Sequence, residues 1–120
     1  MKRLLPKLTA RLQHFEPTAV KIPVPKFELP LPKEDNEIIS QSWLWPRVGQ
    51  FFRPKDIIVA ETGTSSFGVL EVPFPTGAVF VSQILWGSIG WTVGATLGAA
   101  LAGRELGYKR TILFVGDGSM

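Results

Sequence analysis

The 120 residues contain no cysteine and only one histidine, His14. With no cysteine there is no disulfide and no thiolate metal site, which is compatible with a reducing compartment, and the cytosol is the expected location. Charge of one sign is also scarce. Thirteen Lys and Arg against ten Asp and Glu leave a net charge of only +3, with no basic stripe interleaved with aromatics, so nucleic acid is not an expected partner. Internal repeats are absent as well. The composition, 45% hydrophobic and 19% charged, is that of a globular chain able to bury one modest core rather than a disordered one.

The first twelve residues carry Lys2, Arg3, Lys7 and Arg11 without an acid, and Leu4, Leu5, Leu8 and Leu12 recur at helical spacing. This basic amphipathic segment fits the last helix of a preceding domain. A targeting presequence is the alternative, weakened by few hydroxyl residues and by Pro6. Five prolines at positions 17, 23, 25, 30 and 32 then predict a linker, each fixing its own φ and biasing its predecessor toward extended geometry. The interspersed Ile22, Val24, Phe27, Leu29 and Leu31 suggest a strap lying on a surface; a proline-recognition ligand would leave them unused. The expected division is 1–13 as the end of a preceding domain, 14–36 as linker and 37–120 as the main unit.

Within that unit, Pro46 is expected in the first turn of a helix reaching Phe52, with Leu44, Val48, Phe51 and Phe52 on one face and Trp43 and Trp45 in the core. Asp56 leads into Ile57-Ile58-Val59-Ala60, an apolar run of the kind covered on both faces of a parallel sheet. Polar Glu61-Thr62-Gly63-Thr64-Ser65-Ser66 follows directly, at a strand's carboxyl end, although ordinary turn chemistry explains Thr-Gly-Thr-Ser equally well. A second strand is expected at residues 78–81. Residues 84–101 then run for eighteen positions without a charge, and Gly90, Gly94 and Gly98 recur every four. That pattern reaches the lower edge of a membrane span. Against it, Trp86-Gly87-Ser88-Ile89-Gly90 is a poor helix start, so a shorter helix is expected from about Gly90, its Gly94, Ala95, Gly98, Ala99 and Ala102 face approaching a sheet or a partner. A third strand, Thr111-Ile112-Leu113-Phe114-Val115, empties into Gly116-Asp117-Gly118-Ser119. A carboxylate and free backbone N–H groups at a strand's carboxyl end suit a cation-anchored phosphate site.

The order strand, polar turn, strand, Trp-Gly-Ser-Ile loop, glycine-rich helix, strand, Gly-Asp-Gly-Ser resembles the fungal pyruvate decarboxylase family over residues 43–120. The resemblance is carried by Ala60-Glu61-Thr62-Gly63-Thr64-Ser65, Phe67-Gly68, Ser82-Gln83-Ile84-Leu85-Trp86-Gly87-Ser88-Ile89-Gly90, Gly94-Ala95-Thr96-Leu97-Gly98-Ala99-Ala100 and Ile112 through Ser119. It implies an α/β fold: the front half of a doubly wound parallel-sheet thiamine-diphosphate-binding domain, preceded by a helix, the end of the middle domain, and the proline-rich linker. It also implies thiamine diphosphate and Mg²⁺ as cofactors, decarboxylation of a 2-oxo acid to an aldehyde, and a homodimer or homotetramer. In such an assembly the pyrimidine-binding domain of another subunit completes the site.

Position by position, the resemblance makes Asp117 the Mg²⁺ ligand and Gly118 and Ser119 diphosphate contacts, with Thr64 touching the diphosphate as well. Gly87 and Ile89 become backbone contacts to the aminopyrimidine, with Ser88 between them; Ile89 props the cofactor in a bent shape and Thr62 lies near the reacting carbon. The chemistry suits these residue types, since Mg²⁺ takes hard oxygen ligands at about 2.1 Å and few carboxylates when phosphate oxygens are present. The family's downstream asparagine pair, the glutamate after it, and the glutamate and histidine pair of its pyrimidine domain match nothing here. His14 matches no catalytic histidine and is expected on the surface. The chain alone is therefore expected to be inactive, and the competing function is a non-catalytic interaction or membrane-associated polypeptide that keeps the half-domain.

Overall fold

The computed structural model describes residues 2, 4–15, 23, 30, 31 and 38–120. Most of the proline-rich strap, including Ile22, Val24, Phe27 and Leu29, lies outside the described residues. The basic segment forms helix α1, Leu4–Leu12, with no buried residue. Pro6 sits in its first turn, where a backbone N–H would have no intrahelical acceptor anyway.

Helix α2 spans Gln41–Phe51 and starts earlier than Pro46 would suggest. Ser40 caps it, its hydroxyl oxygen accepting the Trp43 N–H at 3.2 Å. Pro46 lies inside the helix; its ring removes the bond to the Ser42 carbonyl, and the Ser40 cap and buried Trp45 hold the helix across that gap. The apolar face is correspondingly rotated. Trp45 and Phe52 are buried while Phe51 is 58% exposed, and Trp43 is half-buried under the Arg47 guanidinium, 4.0 Å from its ring centroid.

Three parallel strands follow: β1 (Asp56–Ala60), β2 (Val79–Ser82) and β3 (Arg110–Phe114). The sheet order is β2-β1-β3, with Ile58 opposite Phe80 on one side and Ile112 on the other. Every residue of the central strand is buried, as the unbroken apolar run required. Helix α3, Thr64–Leu70, connects β1 to β2, and α4, Trp91–Glu105, carries the chain from β2 across to β3. Alternation along β1 sends Ile58 into a cluster with Trp45, Phe52, Val69 and Val72, on the side of α2 and α3. Ile57 points the other way, against Gly103 of α4. The sheet is thus covered by helices on both faces.

The face of α4 that meets the sheet is not the Gly94/Gly98 face. Thr92 and Gly103 are its buried residues, Ala95 and Ala99 are half-buried, and Gly94, Gly98 and Ala102 are exposed. At about 100° per residue, Gly94 stands about 200° from Thr92, whereas Gly103, eleven positions on, returns to within about 20° of it. Nothing lies within 4 Å of where a Cβ on Gly94 or Gly98 would sit. Among the described residues no helix is long and apolar enough to cross a membrane.

At the amino end of the sheet, the Asp56 carboxylate accepts from Arg110 Nε at 2.9 Å, from the Arg110 terminal nitrogen and from the Arg53 N–H at 2.7 Å. The pair staples β1 to β3 at the end remote from the candidate site. The hydrogen bond from Arg110 lowers the pKa of Asp56 despite opposing burial.

Candidate functional site

Strand order reverses after β2, which sets the carboxyl ends of β1 and β3 side by side at a topological switch point. In open parallel sheets that is where ligands bind. Three segments meet there. β1 runs into Glu61-Thr62-Gly63, β3 runs through Val115 and Gly116 into a short 3₁₀ turn at Asp117–Ser119, and the connection from β2 to α4 passes over both as residues 83–90.

The segments are tied by contacts that the strands themselves aim. The Glu61 N–H donates to the Phe114 carbonyl at 2.9 Å, extending the β1–β3 ladder by one rung. The Ser82 hydroxyl donates to the Ala60 carbonyl at 3.2 Å, holding the end of β2 to the end of β1. Gly87 has φ +58°, and a Cβ there would stand 3.5 Å from the Thr62 methyl. Gly90 has φ +87°, and its Cβ would stand 3.6 Å from the Ser119 carbonyl oxygen. Those distances are ordinary contacts, so it is the left-handed backbone at both positions that favours glycine.

The candidates divide into two groups. Thr62 and Gly87 come together, and Ser119 comes beside Gly90, the residue after Ile89. Thr62, Gly87, Ser66 and Phe80 help line a cavity of about 140 Å³. The Thr62 hydroxyl oxygen is buried and has no hydrogen-bond partner among the described residues. Ser119 is half-buried, its N–H donating to the Gly116 carbonyl at 2.9 Å. Thr64, the first residue of α3, and Ser88, Ile89, Asp117 and Gly118 are exposed. No side-chain hydrogen bond or ion pair among the described residues joins Thr64 or Asp117 to the other candidates. Nor does any group of three or more His, Asp or Glu converge there as a ready-made metal cage.

Sequence reasoning passed over the most deeply engaged polar residue at this end. Glu61 is 1% exposed. Its Oε1 accepts the Thr62 N–H at 2.9 Å, and its Oε2 accepts the Gly90 N–H at 3.0 Å and the Thr92 hydroxyl at 2.5 Å. Burial alone would raise its pKa, but the Thr92 hydroxyl and the backbone N–H groups of Thr62, Gly90 and Thr92 outweigh it, so the Glu61 pKa is lowered from its ordinary value. A signal for it was present: an acid directly ending a fully buried strand must find partners, because an unpaired buried charge is too costly.

No family model matches the chain. Curated relatives do. It is 54% identical over 89 residues to a pyruvate decarboxylase of Aspergillus fumigatus, covering 74% of this chain and 16% of the relative. Over its whole length it is 48% identical to the pyruvate decarboxylase of Candida albicans and 46% identical to that of Hanseniaspora uvarum, covering 22% and 21% of those proteins. The chain thus spans about a fifth of the length of the curated relatives it matches. Identity at this level over the whole of the chain, with the three segments joined as described, leads to one conclusion: the chain belongs to the fungal pyruvate decarboxylase family.

Proposed function

We propose that these residues supply half of the cofactor site of a thiamine-diphosphate- and Mg²⁺-dependent carboxy-lyase that converts a 2-oxo acid, pyruvate, to acetaldehyde and CO₂. What supports the reading is that one connection, residues 83–90, stands against Thr62 at Gly87 and against Ser119 at Gly90, at the carboxyl end of the sheet. Whole-length identity to pyruvate decarboxylases supports it.

The residues present suit the cofactor in both halves. Asp117 offers an exposed hard carboxylate oxygen for Mg²⁺, whose remaining ligands would come from phosphate oxygens and from groups outside this half-site. Nothing lies within 4 Å of a Cβ built on Gly118, so the backbone there is open to a diphosphate, with Ser119 and Thr64 as hydroxyl donors. The orphaned Thr62 hydroxyl supports a position for that side chain near the reacting carbon. Gly87 and Ile89 would face the aminopyrimidine through their backbone, Ser88 lying between, and the Ile89 side chain would prop the bent shape. When bound, thiamine diphosphate supplies the carbon nucleophile and the electron sink for loss of CO₂. The protein's part is to hold the two ring systems in reacting geometry and keep water out.

The surroundings of the site bear on the partner. Ile84, Leu85, Trp86 and Ile89 are 78%, 89%, 85% and 67% exposed. Such a rim favours cover by a second domain, and we assign that role to the pyrimidine-binding domain of another subunit in a homodimer or homotetramer.

The experiment is a coupled acetaldehyde assay with pyruvate, Mg²⁺ and thiamine diphosphate. A complete subunit carrying these 120 residues is expected to turn over, and the 120-residue chain alone to form no aldehyde. Steady turnover by the chain alone would contradict the half-site reading.

A further inference from the structure

We infer that Glu61 is a positioning residue that sets the aminopyrimidine half of the site against the diphosphate half; the inference rests on the function proposed above. Three of its bonds end in different segments at this end of the sheet. Its N–H holds Phe114, from which the chain continues through Val115 to the Gly-Asp-Gly-Ser turn. Its Oε1 holds the Thr62 N–H, fixing the backbone that presents the orphaned Thr62 hydroxyl. Its Oε2 holds the Gly90 N–H and the Thr92 hydroxyl, and so fixes both the end of the Gly87-Ser88-Ile89 loop and the first turn of α4. One residue therefore indexes the 87–89 loop to the 116–119 turn.

The chemistry requires a carboxylate. An ionised carboxylate is acceptor-only with about four lone-pair sites, enough for the three donors found here. A glutamine of the same shape has one acceptor oxygen, and its NH₂ would face a donor N–H. The two backbone donors and the Thr92 hydroxyl make charge-assisted bonds, and the carboxylate also lies at the amino end of the α4 dipole, where negative charge is favoured. At 1% exposure Glu61 cannot touch the substrate, so its effect must pass through the groups it holds.

A merely structural acid and a positioning acid differ in what they do to two ligands. Pyrophosphate with Mg²⁺ engages only the diphosphate half, whereas thiamine diphosphate with Mg²⁺ engages both. In a complete subunit carrying these residues, calorimetric titration of each ligand is paired with hydrogen exchange of the Gly90 amide. Glu61→Gln is expected to leave pyrophosphate affinity within about twofold while weakening thiamine diphosphate about tenfold or more, as loss of a charge-assisted bond implies. Exchange at Gly90 should quicken about tenfold for the same reason. Thr92→Val should move both readouts in the same direction by less, and Thr92→Ser, which keeps the hydroxyl, should restore them. Equal loss of both ligands, unchanged affinity for thiamine diphosphate, or unchanged Gly90 exchange would overturn the inference. If Glu61→Gln does not fold, Thr92→Val decides: wild-type values in both readouts overturn it. A wild-type protein that binds thiamine diphosphate no better than pyrophosphate overturns the proposed function itself, and Gly90 exchange then still reports whether the clamp exists.

Discussion

Replacing Gly68 with alanine puts one methyl group where the structure has an indole. A Cβ there would fall 1.8 Å from Cε2 and 2.1 Å from Nε1 of Trp45. The ring has little room to yield: it is 7% exposed, packs edge-on against Phe114 at 6.0 Å and donates through Nε1 to Gln41. Relief requires α2 and α3 to separate, and overpacking of this kind costs about 1–3 kcal/mol. An approach of 1.8 Å to a buried ring puts the cost near the top of that range, and the gain in helix propensity returns at most about 1 kcal/mol, so a net loss of about 2 kcal/mol is expected. Gly98 is the control. Nothing lies within 4 Å of its Cβ position, so Gly98→Ala should stabilise by about 0.5–1 kcal/mol. Gly103→Ala falls between them, because the atom it meets at 2.5 Å is the mobile end of Ile57. Urea unfolding of dilute protein, followed by tryptophan emission, ranks the three. Gly68→Ala as stable as wild type, or Gly98→Ala as costly as Gly68→Ala, would refute the packing described for α3 and α4.

Two further outcomes follow from charge and shape. The folded pKa values of Asp56 and Glu61 both lie below their unfolded values, the first through Arg110 and the second through net hydrogen bonding against burial. Their contribution is therefore fully present above about pH 5 and is lost as pH falls below about 4 through the folded values. A urea midpoint measured against pH should drop on that acid limb and be flatter in Asp56→Asn; an identical limb would contradict the pairing. Ile89→Ala in a complete subunit should lower kcat by about tenfold or more while leaving thiamine diphosphate affinity nearly intact, since holding two groups in reacting geometry acts on rate. Parallel loss of affinity and kcat would make Ile89 an ordinary apolar residue.

How much of this was legible varies by residue, for physical reasons. β1 was legible because four consecutive apolar residues with no polar alternation have few other homes, and the structure buries them all. The start of α4 was legible because Gly87 and Gly90 resist helix, and Gly90 is its N-cap. Helix α3 was not: Thr64, Ser65 and Ser66 read as a turn, and only burial of Gly68 and Val69 against α2 and the sheet makes the segment helical. Pro46 misled because a proline forbids an interior position only when nothing else holds the helix; here a serine cap and a buried tryptophan do. The four-residue spacing of Gly94 and Gly98 marks a stripe on a helix without saying whether it meets the sheet or a partner, and in the structure it does not meet the sheet. Glu61 was overlooked because its partners, Gly90 and Thr92, lie 29 and 31 residues away.

Whether the turn after β3 holds the cation and diphosphate of the cofactor comes down to one carboxylate. In a complete subunit, Mg²⁺-dependent binding of thiamine diphosphate is to be measured for wild type, Asp117→Ala and Asp117→Glu. Both variants should lose Mg²⁺-dependent retention, the glutamate because one added methylene displaces the carboxylate by more than an octahedral site with ligands near about 2.1 Å tolerates. Wild-type affinity in Asp117→Ala would contradict the account and leave Asp117 a residue of the turn.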